Sequence, residues 1–148
     1  MRIQTKEDDQ MNPKYKPLFE PFTFKSGVTI DNRIAVAPMT HYASNEDGTI
    51  SEAELDYIIP RSKEMGMVIT ACANVTPDGK AFPGQPAIHD DSNIPGLKKL
   101  AQAIQAQGAK ALYKFIMAAS NAHLSSFLNR MLWGQVTCLI TANKLLAH

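Results

Sequence analysis

The sequence predicts an α/β protein built from βα units, because apolar runs of strand length alternate with helix-patterned segments and a long loop follows each strand. Ile34-Ala35-Val36-Ala37 is one such run and Met67-Val68-Ile69-Thr70-Ala71 is the next. Helical patterns begin near Ser51 and near Asn93. Crossovers of that length join parallel strands, and ligands collect beyond the carboxyl ends of such strands. Residues 38–42 are therefore the expected floor of a small-molecule site.

Residues 1–15 form a polar extension with no apolar run, which reads as neither a secretory signal nor an anchor. Met11 opens the more structured-looking sequence and reads as a natural start. Pro21-Phe22-Thr23-Phe24, the turn Lys25-Ser26-Gly27 and Val28-Thr29-Ile30 predict a hairpin capping one end of the fold. The strand from Ile34 then stops at Pro38, which has no amide proton for a ladder, and delivers the polar trio Thr40, His41 and Tyr42. After loop residues 43–48, Ser51 and Glu54 have capping-box spacing, and Leu55, Ile58 and Ile59 supply an apolar stripe. Pro60 predicts a kink or break near Ile59, and Gly66 the end of the segment. Residues 74–86 hold three prolines and two glycines and must be a long loop. Asn93 with Pro95 starts the second helix, Leu97, Leu100, Ala101 and Ile104 make its buried face, and Gly108 terminates it.

At 148 residues, 45% hydrophobic and 20% charged, the chain has the composition of an ordinary globular domain. A net charge of +1 gives no electrostatic reason to bind nucleic acid or an anionic membrane surface. Cys72 and Cys138 lie far apart and form no metal-ligand spacing, so neither a metal nor a disulfide is expected, and a reducing, cytoplasmic setting fits. His41 and His89 show no catalytic or ligand spacing and receive no role. A small-molecule substrate is the expected partner.

Leu18-Phe19-Glu20-Pro21-Phe22, Asn32-Arg33-Ile34-Ala35-Val36-Ala37-Pro38-Met39-Thr40, Met65-Gly66-Met67-Val68-Ile69-Thr70 and residues 93–110 together resemble the old yellow enzyme family. The resemblance covers residues 16–111 and implies the amino-terminal part of a (β/α)8 TIM barrel: a capping hairpin and the first two βα units. It also implies FMN and NAD(P)H as cofactors, and an enone or similar activated alkene as substrate. Carried over by position, Pro38, Met39 and Thr40 match the loop against the flavin, with the Thr40 hydroxyl near the reactive edge of the ring. Cys72 matches a small residue touching the flavin, and Tyr42 a tyrosine lining the substrate pocket. Taken singly, Thr40 would be a strand-end hydroxyl, Tyr42 a half-buried core aromatic and Cys72 an inert core thiol. The family's catalytic positions lie beyond the matching region, so no catalytic residue is assigned.

Past Ala111 the family pattern would continue with a strand carrying a glutamine, then histidine and two glycines. This chain reads Leu112-Tyr113-Lys114-Phe115-Ile116-Met117-Ala118-Ala119-Ser120 instead. Codons exist for residues 113–119 that, grouped one base earlier, spell Gln-Ile-His-His-Gly-Gly. The same shift over residues 124–132 permits Glu-Leu-Val-Pro, two variable positions, then Asp-Val-Val. Residues 112–148 are thus expected to be an out-of-frame tail, and the chain a truncated, inactive piece of a longer flavoenzyme with an open parallel sheet edge. The alternative is a short α/β interaction protein whose apolar carboxyl-terminal segment self-associates. Phe115, Ile116, Leu124, Phe127, Leu128, Met131 and Leu132 have helix-like spacing for that purpose.

Overall fold

The computed structural model describes residues 12–116 and the strand Leu139–Thr141. A 3-10 segment, Pro13–Phe19, leads into an antiparallel hairpin of β1 (Phe22–Thr23) and β2 (Thr29–Ile30), paired Phe22 to Ile30. The main sheet contains β3 (Ala35–Val36), β4 (Met67–Asn74), β5 (Lys110–Ile116) and β6 (Leu139–Thr141), in that order. β3, β4 and β5 are parallel, and the crossovers carry α1 (Glu52–Ser62) and α2 (Ile94–Ala106). This is the predicted α/β alternation, with a third parallel strand where the sequence pattern reached only two.

Asn32 holds the amino ends of the strands together. Its Oδ1 accepts from the amides of Ile34 at 3.0 Å and Gly66 at 2.9 Å, and its Nδ2 donates to the Glu64 carbonyl at 2.9 Å. Gly66 does not end α1 as expected. It is where two backbones meet, for a Cβ there would stand 2.0 Å from the Asn32 carbonyl oxygen. From that point the Lys110 amide donates to the Gly66 carbonyl at 3.1 Å, so one clamp sets the start of β3, β4 and β5.

The core lies between the two helices and one face of the sheet. Leu55 and Ile58 of α1 meet Leu97, Leu100, Ala101 and Ile104 of α2 over Val68, Ala73, Ala111, Tyr113 and Phe115. Each large apolar side chain so buried contributes roughly 1.5–3 kcal/mol. Asn93 immediately precedes α2, without a side-chain capping bond, Pro95 occupies the first turn and Gly108 follows the helix at φ +92°, so the helix lies where the sequence predicts. Pro60 does not break α1, which continues to Ser62. The proline is exposed, so the carbonyl it leaves without a helical donor faces water, while Arg61 Nη1 and Ser62 Oγ donate to the Tyr57 and Ile58 carbonyls at 2.7 and 2.8 Å.

Residues 112–116 are not the start of a helix. They complete β5, with Tyr113 and Phe115 in the core and the Tyr113 hydroxyl donating to the Leu97 carbonyl. Nor is the edge of β5 open, because β6 pairs antiparallel to it from Leu112 to Lys114. The remaining positions of the expected helix-like stripe, the expected start at Met11 and Cys138 lie outside the described residues. Among the described residues no helix is long and apolar enough to cross a membrane.

Gly66→Ala should cost roughly 1–3 kcal/mol or more, read as a lowered urea midpoint at unchanged slope, since the Asn32 backbone would have to retreat. Burial, reinforced by the nearby Glu54 charge, pushes the Tyr113 phenol far above its ordinary value. The folded chain then keeps a proton that the unfolded chain releases, so stability from this group is present below about pH 10 and is lost as the pH rises further. Comparing urea midpoints on either side of that pH should show a steeper alkaline loss in the parent than in Tyr113→Phe.

Candidate functional site

The carboxyl ends of β3 and β4 bring the sequence-predicted residues together. Pro38, Met39 and Thr40 follow β3, and Cys72 lies near the end of β4, with Thr40 Oγ1 4.0 Å from Cys72 Sγ. Cys72 is buried, whereas Met39 and Tyr42 are 59% and 70% exposed, which removes the core-aromatic reading of Tyr42. The Thr40 hydroxyl thus stands beside a small buried thiol, with Met39 and Tyr42 exposed on either side of Thr40 in the chain.

A bulge in β4 is what points Cys72 this way. Ile69 pairs with Leu112 and Cys72 with Lys114, so β4 uses one more residue than β5 over the same step. Side chains alternate faces along a strand, yet Val68 and Ala73, an odd number apart, both pack in the core under the helices. The extra residue resolves the conflict. Without it Cys72 would share the helix-facing side with Val68; with it Cys72 turns to the opposite face, beside Thr40. β5 has no such shift, so Ala111, Tyr113 and Phe115 stay on the helix side, and the half-buried Lys114 stands next to Cys72.

The long loop after β4 is fastened to this end of the sheet. Gln85 is fully buried, donates from Nε2 to the Cys72 carbonyl at 3.2 Å and accepts from the Ala81 amide at 2.6 Å. Asn74 continues the fastening, since its amide donates to the Pro86 carbonyl at 2.9 Å and its carbonyl accepts from Ile88 at 3.0 Å. The two loops also meet each other. The Ser44 amide donates to Gly84 at 3.2 Å, the Ala87 amide to Gly48 at 2.9 Å, and the Tyr42 and Phe82 rings meet edge to face at 5.0 Å. Phe82 therefore belongs to the surface around Tyr42, although nothing in its sequence neighbourhood marks it.

His41, given no role from sequence, lies between Thr40 and Tyr42 but turns the other way. Its Nε2 is 3.2 Å from Glu54 Oε1, and Ser44 Oγ donates to Glu54 Oε2 at 2.6 Å. The capping box at α1 is thus half formed. Ser51 Oγ accepts from the Glu54 amide at 3.1 Å as expected, but the Glu54 carboxylate, 2% exposed, reaches into the β3–α1 loop rather than back to Ser51. Spacing alone could not reveal this, because His41 and Glu54 are joined only once β3 and α1 pack.

Comparison with known proteins agrees with the fold. A family model described as the NADH:flavin oxidoreductase / NADH oxidase family matches residues 17–133. The chain is 98% identical over 102 residues to the "Probable NADH-dependent flavin oxidoreductase YqiG" of Bacillus subtilis, covering 69% of this chain and 27% of that protein. It is 41% identical over 106 residues to the NADH:acrylate oxidoreductase of Vibrio harveyi, covering 72% of this chain and 11% of that one. Among solved structures, the old yellow enzyme of Trypanosoma cruzi superposes with a TM-score of 0.65 at 27% identity, over 72% of this chain and 28% of that chain. The chain therefore spans less than a third of the length of these relatives, and its strands and helices form a piece of a TIM barrel. Both the residues and the fold place it plainly: the chain belongs to the NADH:flavin oxidoreductase / NADH oxidase family.

Proposed function

We propose that this chain is the amino-terminal part of an FMN-dependent oxidoreductase that uses NAD(P)H to reduce an activated alkene, such as an enone, and that the 148-residue polypeptide alone is inactive. The observation that carries the reading is the approach of Thr40 to Cys72 at the carboxyl ends of neighbouring parallel strands, inside a family match of this breadth. A flat ring system fits that surface. Thr40 offers a hydroxyl to its polar edge, Met39 and Pro38 offer apolar contact, and the small Cys72 side chain lets the ring come close to the β4 backbone. FMN, when bound, would supply the hydride chemistry, and a hydrogen bond from Thr40 would bias its potential. Tyr42, backed by Phe82, would line the pocket for substrate. A relative named for acrylate, itself an activated alkene, supports that substrate class.

The proposed organisation is a polar extension over residues 1–15, the barrel segment over 16–111 and an out-of-frame tail over 112–148. The strand register supports the last part. Regrouping the bases one position earlier draws the glutamine from the last base of codon 113 and the first two of codon 114, and Lys114 is the residue beside Cys72. A glutamine there would face the flavin surface; this chain has an ammonium instead. One observation favours the second reading, a short α/β interaction protein: β6 covers the β5 edge on which a fourth parallel strand would build. The family match continues to residue 133, which speaks against an out-of-frame tail beginning at residue 112 and not for an interaction protein.

Three measurements separate these accounts. The nucleotide sequence across codons 108–132 should permit Gln-Ile-His-His-Gly-Gly after a one-base change, and bases that forbid it end the out-of-frame reading. FMN titration followed by fluorescence quenching should leave the purified chain without stoichiometric flavin and without NAD(P)H turnover. A chain that held FMN one to one and oxidised NADPH would overturn the claim of inactivity. A sharp cooperative melt with no flavin would favour the interaction protein.

A further inference from the structure

We propose that Glu54 is a positioning residue: its buried carboxylate holds His41 and Ser44 and thereby turns Thr40 and Tyr42 outward at the carboxyl ends of the strands. The inference deepens the flavin-site reading and rests on it for what Thr40 and Tyr42 face.

The argument begins with the cost of burying a carboxylate. Glu54 sits in the first turn of α1 and is 2% exposed, so it must keep its donors. Ser51 Oγ fixes its backbone by accepting from its amide. Its two oxygens are then satisfied from one short stretch of loop, Oε2 by Ser44 Oγ at 2.6 Å and Oε1 by His41 Nε2 at 3.2 Å. Tyr113 also lies near the carboxylate, but its hydroxyl is committed to the Leu97 carbonyl. The loop donors therefore cannot leave without stranding the carboxylate.

The same helix face confines the imidazole. Tyr57, three residues after Glu54, sets its ring 5.9 Å from the His41 ring, and the Arg61 guanidinium lies over the Tyr57 ring at 3.8 Å. His41 Nδ1 is buried without a hydrogen-bond partner, so a proton on Nε2, directed at Glu54, is the arrangement that strands no donor. Exposure alternates through this stretch, with Thr40 exposed, His41 half-buried and Tyr42 exposed. Pulling His41 toward α1 leaves its two neighbours to the opposite side, where Thr40 meets Cys72 and Tyr42 meets Phe82.

Glu54→Gln and Glu54→Leu test this in the 148-residue chain by hydrogen exchange and by long-range 1H–15N spectra of the histidines. Leucine fills the space but accepts nothing; glutamine keeps the acceptor without the charge. In Glu54→Leu the Ser44 amide should exchange about tenfold faster or more, the size expected for a lost hydrogen bond to a charged group, while Val68, Leu100 and Ile104 keep their protection. The His41 spectrum should lose its Nε2-protonated signature in the same variant. Glu54→Gln should retain most of both. The proposal is overturned if Glu54→Leu protects Ser44 as well as the parent does, if protection falls uniformly through β4 and α2, or if the parent's Ser44 amide is unprotected at the outset. These readouts need no flavin. A held loop in the 148-residue chain, together with a full-length parent that bound no FMN, would leave the positioning role standing and remove only the flavin reading.

Discussion

β4 carries the constraint on which the rest of the structure depends: a strand buried on both faces between two parallel neighbours must serve helices on one side and a site on the other. Its amino-terminal half places Val68 under α1 and α2, and its carboxyl-terminal half must still place Ala73 there. With side chains alternating along the strand, both demands are met only by inserting one residue between Ile69 and Cys72. The bulge therefore does two things at once. It keeps the hydrophobic core continuous, and it hands Cys72 and Asn74 to the face where the strand ends are accessible.

The two ends of the sheet are organised by different chemistry. At the amino ends, Asn32 and Gly66 meet with no room for another atom, and an amide side chain binds three backbone groups from two parts of the chain, the start of β3 and the connection into β4. That gives physical content to the Asn-Arg-Ile phrase and to the glycine before the second strand. At the carboxyl ends, side chains rather than backbone clashes do the fastening. Gln85 grips the β4 loop and Glu54 grips the β3 loop, both from full or nearly full burial, where an unsatisfied polar group is costly. A rigid lower rim and polar-fastened upper loops are the usual division of labour when a barrel segment must hold a ligand.

The parts of this structure legible in the sequence are those set by local pattern. The Leu97-Leu100-Ala101-Ile104 stripe, Asn93 and Gly108 announce α2 completely, and the apolar runs announce β3 and β4. Pro38, Met39, Thr40, Tyr42 and Cys72 come together at one end of the sheet because the motif that names them is contiguous with the strands that carry them. Three things escaped. Pro60 looked like a break because a proline's missing donor is visible in sequence, whereas the exposure that makes it harmless is not. Residues 112–116 looked foreign because they depart from the family's pattern, yet Ala111, Tyr113 and Phe115 still alternate with Leu112 and Lys114, which is all that a strand beside β4 requires. His41 and Glu54 were invisible as a pair because their partnership exists only across the β3–α1 packing.

The antiparallel pairing of β6 with β5 has a consequence for how copies of the chain meet. A flat row of free amides and carbonyls is the template for edge-to-edge polymerisation and strand exchange between molecules. Here one margin of the main sheet is Leu139–Thr141, and the other is β3, only two residues long, with Pro38 two positions beyond its end. Strand addition would therefore meet a two-residue template stopped by Pro38 on one side and, on the other, the outer edge of β6, three residues long instead of the seven of β5.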